Sequence, residues 1–294
     1  MMEYSIELSR QDGSKIRSIF RSIRSWFLTL GLEPSEKIIL SEKEIQASKK
    51  ISVIVAVHDA PEATRRCLLG LELFGGCSEI IIIDDNSKLE TTRNLLKNKC
   101  SLNRWKLIVN ESSLGHSRAS ELGISFATRP YLCLLNSDAI VTQHSWLGVV
   151  RSFESDEKIA VCGPSTSHTS GPQVVRRALH CRHYWSDKQI CAFAQKYVSK
   201  HSHSSVLEVP MVGGFAFFVR RSVWDMLGGF DQKLPDYGNE SEFCRRVYKS
   251  NLRVVWTKES YIHHLGSESY GRTLGREKIN MLCSAAKSYM DSKL

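Results

Sequence analysis

Hydrophobic and polar positions along this 294-residue chain fall into two regimes, a helix-like stretch near the N-terminal end and, from residue 51, an alternation of strand-like and helix-like segments. Between residues 14 and 30, Ile16, Ile19, Phe20, Ile23, Trp26, Phe27 and Leu30 recur at helical spacing, with Lys15, Arg17, Arg21 and Arg24 largely opposite them. This predicts a basic amphipathic helix. Such a helix packs on its own domain or a second copy, or lies on an anionic membrane surface. Residues 31–50, with Pro34 and scattered charges, read as a linker.

From Ile51 to Val57 a β-branched run ends in His58-Asp59-Ala60-Pro61, and a helix through Leu73 should follow. Glu79 to Ile83 ends in Asp84-Asp85-Asn86-Ser87, Trp105 to Val109 forms a third strand, Glu111 to Ala127 a loop and helix, and Tyr131 to Leu135 ends in Asn136-Ser137-Asp138. Repeated units of this kind predict an α/β fold with a mainly parallel sheet flanked by helices. Ligands then gather beyond the carboxyl ends of the strands, where both acidic motifs lie. Residues 165–208 have weaker periodicity and read as an insertion or a variable region. Val209 to Arg220 reads as a strand around Gly213-Gly214, followed by a helix from Ser222, a turn at Gly228-Gly229-Phe230-Asp231, a helix from Asn239 to Val247 and a strand from Arg253 to Trp256. The expected division is an extension over 1–48 and one domain over 49–294, with a first half at 51–150 and a second at 209–270.

Charge changes the picture only modestly: Lys plus Arg exceed Asp plus Glu by 40 − 31 = 9, which favours polyanionic partners. The nine cysteines show no paired two-residue spacing, so a reducing compartment is expected, with Cys133 and Cys162 in the core and Cys244 partly exposed. No apolar run reaches the roughly 20 residues that span a bilayer. The expected location is the cytoplasm, with residues 14–30 offering peripheral contact at the inner face of the membrane.

Read residue by residue, each motif has two meanings. Asp84-Asp85 caps the following helix or accepts hydrogen bonds from a base or ribose. Asn136-Ser137-Asp138 is a strand-end turn, or a site for a hard divalent cation shared with diphosphate oxygens. His263 and His264 are structural or ligate Mn²⁺. Asp236, Glu240 and Glu242 favour a helix start through its dipole, or include a general base.

The order of these motifs resembles the GT-A glycosyltransferases of family 2, particularly the bacterial rhamnosyltransferase-like branch, over residues 51 to about 270. The resemblance implies the GT-A fold and an inverting, metal-dependent transfer from a nucleotide-diphosphate sugar, UDP or dTDP, to a hydroxyl of a glycan, lipid-linked or protein acceptor, as in cell-surface polysaccharide synthesis. It implies that Ala56, His58, Asp85, Arg118, Asn136, Gly213 and Gly214 hold the donor, that Asp138 and His264 bind Mn²⁺ or Mg²⁺, and that Glu240 is the base. Two positions depart from the family: Asn239-Glu240 replaces the usual Glu-Asp, and Glu121 stands where Asn is common.

Rival readings carry less. A nucleotidyltransferase needs a Gly-rich basic loop after the first strand, and a dehydrogenase needs a Gly-x-Gly-x-x-Gly there; His58-Asp59-Ala60-Pro61 supplies neither. A GT-A-fold scaffold with impaired catalysis is the non-enzymatic alternative, with Asn239-Glu240 as the lesion. No nucleic-acid-binding module is recognisable. A homodimer fits the N-terminal helix.

Overall fold

The computed structural model describes residues 40–181, 183–234, 237–266 and 276–292, so the amphipathic stretch at 14–30 lies outside the described residues. Four strands form a parallel half: β1 (Ile51–Val57), β2 (Glu79–Asp84), β3 (Lys106–Val109) and β4 (Tyr131–Leu135). The short β5 (Ala139–Val141) follows, then β6 (Ile159–Ser165), β7 (Leu207–Glu208), β8 (Ala216–Arg220) and β9 (Arg253–His264). The sheet order is β3-β2-β1-β4-β8-β6-β9-β5, with β7 also pairing β9. β8 runs antiparallel to β4 and β6, and β5 and β7 antiparallel to β9, so the expected parallel sheet is mixed at its second half.

Every side chain of β1 is buried, because helices cover both faces. Val53, Val55 and Val57 point into one core with Cys67, Leu68 and Leu71 of α2 (Pro61–Phe74), Leu96 of α3 (Glu90–Asn103) and Phe153 of α5 (Leu147–Ser155). Ile54 and Ala56 point the other way, with Ile124 of α4 (His116–Ser125), Trp224 of α8 (Arg221–Leu227) and Phe243 of α9 (Asn239–Lys249). α4 lies so close to the sheet that a Cβ on Gly123 would overlap the Ile54 side chain. Only glycine permits that approach.

Four regions differ from the sequence reading. The linker contains a helix, α1 (Glu42–Ser48), capped by Ser41 and held by the buried Glu44 carboxylate, whose Oε2 accepts from the amides of Trp146 (3.0 Å) and Leu147 (2.9 Å) at the start of α5. That tertiary contact has no local signature. Residues 165–208 contain α6 (Arg176–Cys181) and α7 (Asp187–Lys200). The Ser186 and Gln189 capping box that starts α7 was legible in the sequence as Ser-x-x-Gln. β9 runs on past Trp256 to His264, so both histidines sit within the strand. A final helix, α10 (Arg276–Asp291), lies beyond the expected second half.

Glu44 ties α1 to the domain and carries a pH signature. Burial raises its carboxyl from 4.5 to about 7 against the opposing pull of the two amides. The folded state therefore favours the proton, a contribution complete below about pH 4.5 and lost as pH rises through 7. Glu44→Gln keeps an oxygen for both amides and removes the titration. Between about pH 5 and pH 8, the Gln variant should gain stability over the parent by on the order of 3 kcal/mol. Denaturant midpoints of both proteins at each pH measure this, and a pH-independent gap would contradict it.

Candidate active site

The register of β5 against β9 places Ala139 opposite His264, which brings the preceding Asp138 beside His264 although they are 126 residues apart. Leu265 N donates to Asp138 O (3.1 Å) and continues that pairing by one bond. Asp138 is buried, and its Oδ1 lies 3.1 Å from His264 Nε2. The other ring nitrogen fixes the tautomer. His264 Nδ1 is 2.7 Å from the His168 carbonyl oxygen, which can only accept, so Nδ1 carries a proton. In the neutral ring Nε2 then presents a lone pair to a carboxylate oxygen, and a proton or a cation must join them. Neighbouring ligands of a six-coordinate divalent ion at about 2.1 Å sit about 3 Å apart. The spacing, the mixed O and N donors and the backbone bond behind the imidazole fit such an ion. Rings of Phe215 and His168 stack on His264, at centroid distances of 5.3 and 5.8 Å, and hold its orientation. Among the described residues no group of three His, Cys, Asp or Glu side chains could hold a metal alone.

His263 points to the opposite side of the strand and bonds the Tyr261 hydroxyl through Nδ1 (2.9 Å) among Trp185 and Tyr261 rings. Strand alternation thus separates two adjacent histidines into a structural one and a site one.

The Asp138–His264 pair opens on a cavity of about 470 Å³. Of the ten candidate residues, Ala56, Asn136, Asp138, Gly214, Glu240 and His264 line it. Glu240 stands on the first turn of α9, and its carboxyl rests over Gly214, where a Cβ would overlap Oε1. Residues 209–215, which the sequence pattern placed in a strand, are not strand: β8 begins only at Ala216. The neighbouring acidic residues have other places. Glu242 is buried in an ion pair with Arg246 (2.8 Å), whose guanidinium also bonds the carbonyls of Leu227 and Gly229, and Asp236 lies outside the described residues. Asn239 donates to Ser117 Oγ (2.7 Å), tying α9 to the start of α4.

The other four candidates lie outside the cavity wall. Asp85 is buried and carries a full set of donors: Asn110 Nδ2 and Leu114 N on Oδ1 (2.8 Å each), Ser113 Oγ and Gly115 N on Oδ2 (2.8 and 3.1 Å). It fastens the 110–115 loop to the end of β2. His58 Nδ1 donates to the Asp85 carbonyl (2.9 Å). Gly213 N donates to Gln173 Oε1 (2.7 Å). Arg118 is exposed and donates to Gln232 Oε1 (3.2 Å). Glu121 bonds Phe230 N (2.9 Å) and the Gln232 amide, so the residue that departs from the family holds the Gly228-Gly229 turn.

Sequence reasoning missed His116, His168 to Ser170, Met211, Tyr237 and the α10 side chains Cys283, Ala286 and Met290, all of which line the cavity. The spacing of Leu282, Ala286 and Met290 is helical and was available as a signal. Cys133 and Cys162 are core residues as expected; Cys244 is fully buried rather than partly exposed, its thiol pushed up to about 12 by burial. Among the described residues no helix is long and apolar enough to cross a membrane.

Comparison with solved structures shows the same fold at low identity. GalNAc-T7, solved with UDP, GalNAc and Mn²⁺, matches at 16% identity and a TM-score of 0.57 over 73% of this chain and 43% of that one. S. aureus TarS 1-349 matches at 14% and 0.51, over 76% and 63%. The mannosyltransferase PcManGT from Pyrobaculum calidifontis, in complex with GDP-Man and Mn²⁺, matches at 12% and 0.52, over 86% and 67%. The chain therefore spans less than two thirds of the length of the first two. No curated protein sequence matches. The sequence model described as glycosyl transferase family 2 matches residues 52–227, more than half of the chain, in the segment that builds β1 to β8 and carries Asp85, Asp138 and Gly214; the chain belongs to that family.

Proposed function

We propose that this glycosyltransferase is inverting and metal-dependent, taking a sugar from a nucleoside diphosphate, UDP or dTDP, to an acceptor hydroxyl of a cell-surface glycan or glycoconjugate. The observation that carries this reading is the cavity itself. It sets the Asp138–His264 pair and the Glu240 carboxylate on one wall-lined space, and no Lys or Arg is among its described lining residues. A diphosphate entering such a space needs a cation to offset its charge. Asp138 and His264 would hold a divalent ion, which would supply Lewis acidity to the leaving diphosphate.

Glu240 accepts the acceptor hydroxyl proton as that oxygen attacks the anomeric carbon from the face opposite the diphosphate. The new C–O bond forms while the C–O bond to the diphosphate breaks, and its electron pair departs with the diphosphate. A single displacement inverts the anomeric configuration. Asp85 serves the donor indirectly, by holding the 110–115 loop and the start of α4, where His116 lines the cavity.

Thermal melting tests donor and metal together. With Mn²⁺ present, UDP or dTDP at about 100 times its Kd should raise the midpoint by about 5 °C. EDTA should remove most of that rise and Mn²⁺ should restore it. A nucleotide shift indifferent to EDTA would count against the metal, and no shift with any nucleoside diphosphate would count against the donor class.

A further inference from the structure

Beside Glu240, the described lining residues Met211, Ser241, Cys283, Ala286 and Met290 are uncharged. Three of these stand on α10, which is fixed over the start of α9. Arg245 Nη1 donates to the Met290 carbonyl (2.8 Å), Tyr289 Oη donates to Asp231 Oδ2 (2.9 Å), and the buried Ala286 sits over Gly238, where a Cβ would come within 3.0 Å of its methyl. The opposite wall is polar, with Asn136, Asp138, His168, Thr169, Ser170 and His264. The chain's excess of nine positive charges is thus kept away from both walls among the described residues.

We propose that α10 and Met211 form the acceptor subsite, and that it receives the C–H face of an uncharged sugar ring whose hydroxyl meets Glu240. This rests on the transferase reading above. Thioether and methyl groups gain dispersion contacts with ring C–H groups, and Met adapts its shape to them. A phosphate or carboxylate on the same ring would lose its water against that wall, where no described lining residue is a Lys or Arg and the nearby Arg245 is engaged by the Met290 carbonyl. Acceptor choice is therefore written in residues 276–291 as well as in the 165–208 segment, which contributes His168 to Ser170 to the polar side.

Cys283 reports on the subsite directly. It is exposed, Cys77 is half-buried, and Cys100, Cys162, Cys191 and Cys244 are buried with thiols pushed up to about 12. Among the described cysteines, iodoacetamide should therefore alkylate Cys283 first. The full chain with UDP and Mn²⁺ is alkylated in the presence of p-nitrophenyl pyranosides or their 6-phosphates, and the Cys283 peptide is followed by mass spectrometry. At least one neutral glycoside should slow alkylation several-fold, its 6-phosphate should not, and Cys77 should be unaffected. Protection by none of the neutral glycosides, or equal protection by the 6-phosphates, would overturn the proposal. In a second arm, Cys283→Trp fills the subsite. Transfer to the protecting glycoside should fall through its acceptor KM while donor hydrolysis persists. Equal loss of hydrolysis would assign the wall to the donor instead. A parent enzyme that turns over no nucleotide sugar would strike the transferase reading, whereas protection by phosphates strikes only the subsite.

Discussion

Asp138→Asn is expected to lower sugar transfer by on the order of a thousandfold while leaving the thermal midpoint nearly unchanged. The amide keeps the fold because its N–H can donate to His264 Nε2 across the 3.1 Å now spanned by Oδ1. What it loses is the anionic oxygen facing a nitrogen lone pair, and with it the charge that attracts a divalent ion. Manganese binding followed by electron paramagnetic resonance should weaken in parallel, at fixed nucleotide. Turnover within tenfold of the parent at saturating Mn²⁺ would remove Asp138 from the metal site.

Glu240→Gln should reduce kcat by about 10²- to 10⁴-fold, the range for loss of a general base, with donor KM little changed. Gly214→Ala probes the same group from the other side. Its methyl would occupy the position of Glu240 Oε1 and drive the carboxyl off its seat, while costing the fold little because the displaced atoms end a flexible side chain. The two variants should therefore share a kinetic signature. A fully active Glu240→Gln would dismiss the base, and an active Gly214→Ala would show that its placement tolerates a shift. Catalytic geometry at a longer carboxylate than the family's usual Asp is sensitive on the scale of one bond.

Much of this was legible before any coordinates because strands report their own ends. Asp85 and Asp138 follow apolar runs that are too hydrophobic to be anything but buried strands, and the observed β2 and β4 stop at Asp84 and Leu135. Local sequence could not say which side of β9 a histidine faces, since that depends on pairing with β5. Nor could it say that Asp85 is saturated by two side-chain and two backbone donors 25 to 30 residues away, or that Glu44 reaches the start of α5. Those facts belong to tertiary contacts with no periodicity to betray them. The polar insertion illustrates the converse. Its helix α7 carried a capping signal, yet a short apolar stripe of Ile190 and Ala194 was too weak to stand out from surrounding polar residues.

The pairing of β5 with β9 also orders events in time. Asp138 emerges from the ribosome 126 residues ahead of its partner, so the nucleotide-side half of the sheet can be complete while the metal pair does not yet exist. Closing that contact requires the long chain segment between them to be in place, a step that pays loop-closure entropy late. A nascent or clipped chain lacking β9 would thus hold the parallel strands and Asp138 without His264, the second of the two groups proposed to hold the metal. On the metal role proposed for Asp138 and His264, reactivity would wait for the strand that finishes the sheet, and an incompletely folded enzyme would be kept from losing activated sugar to water.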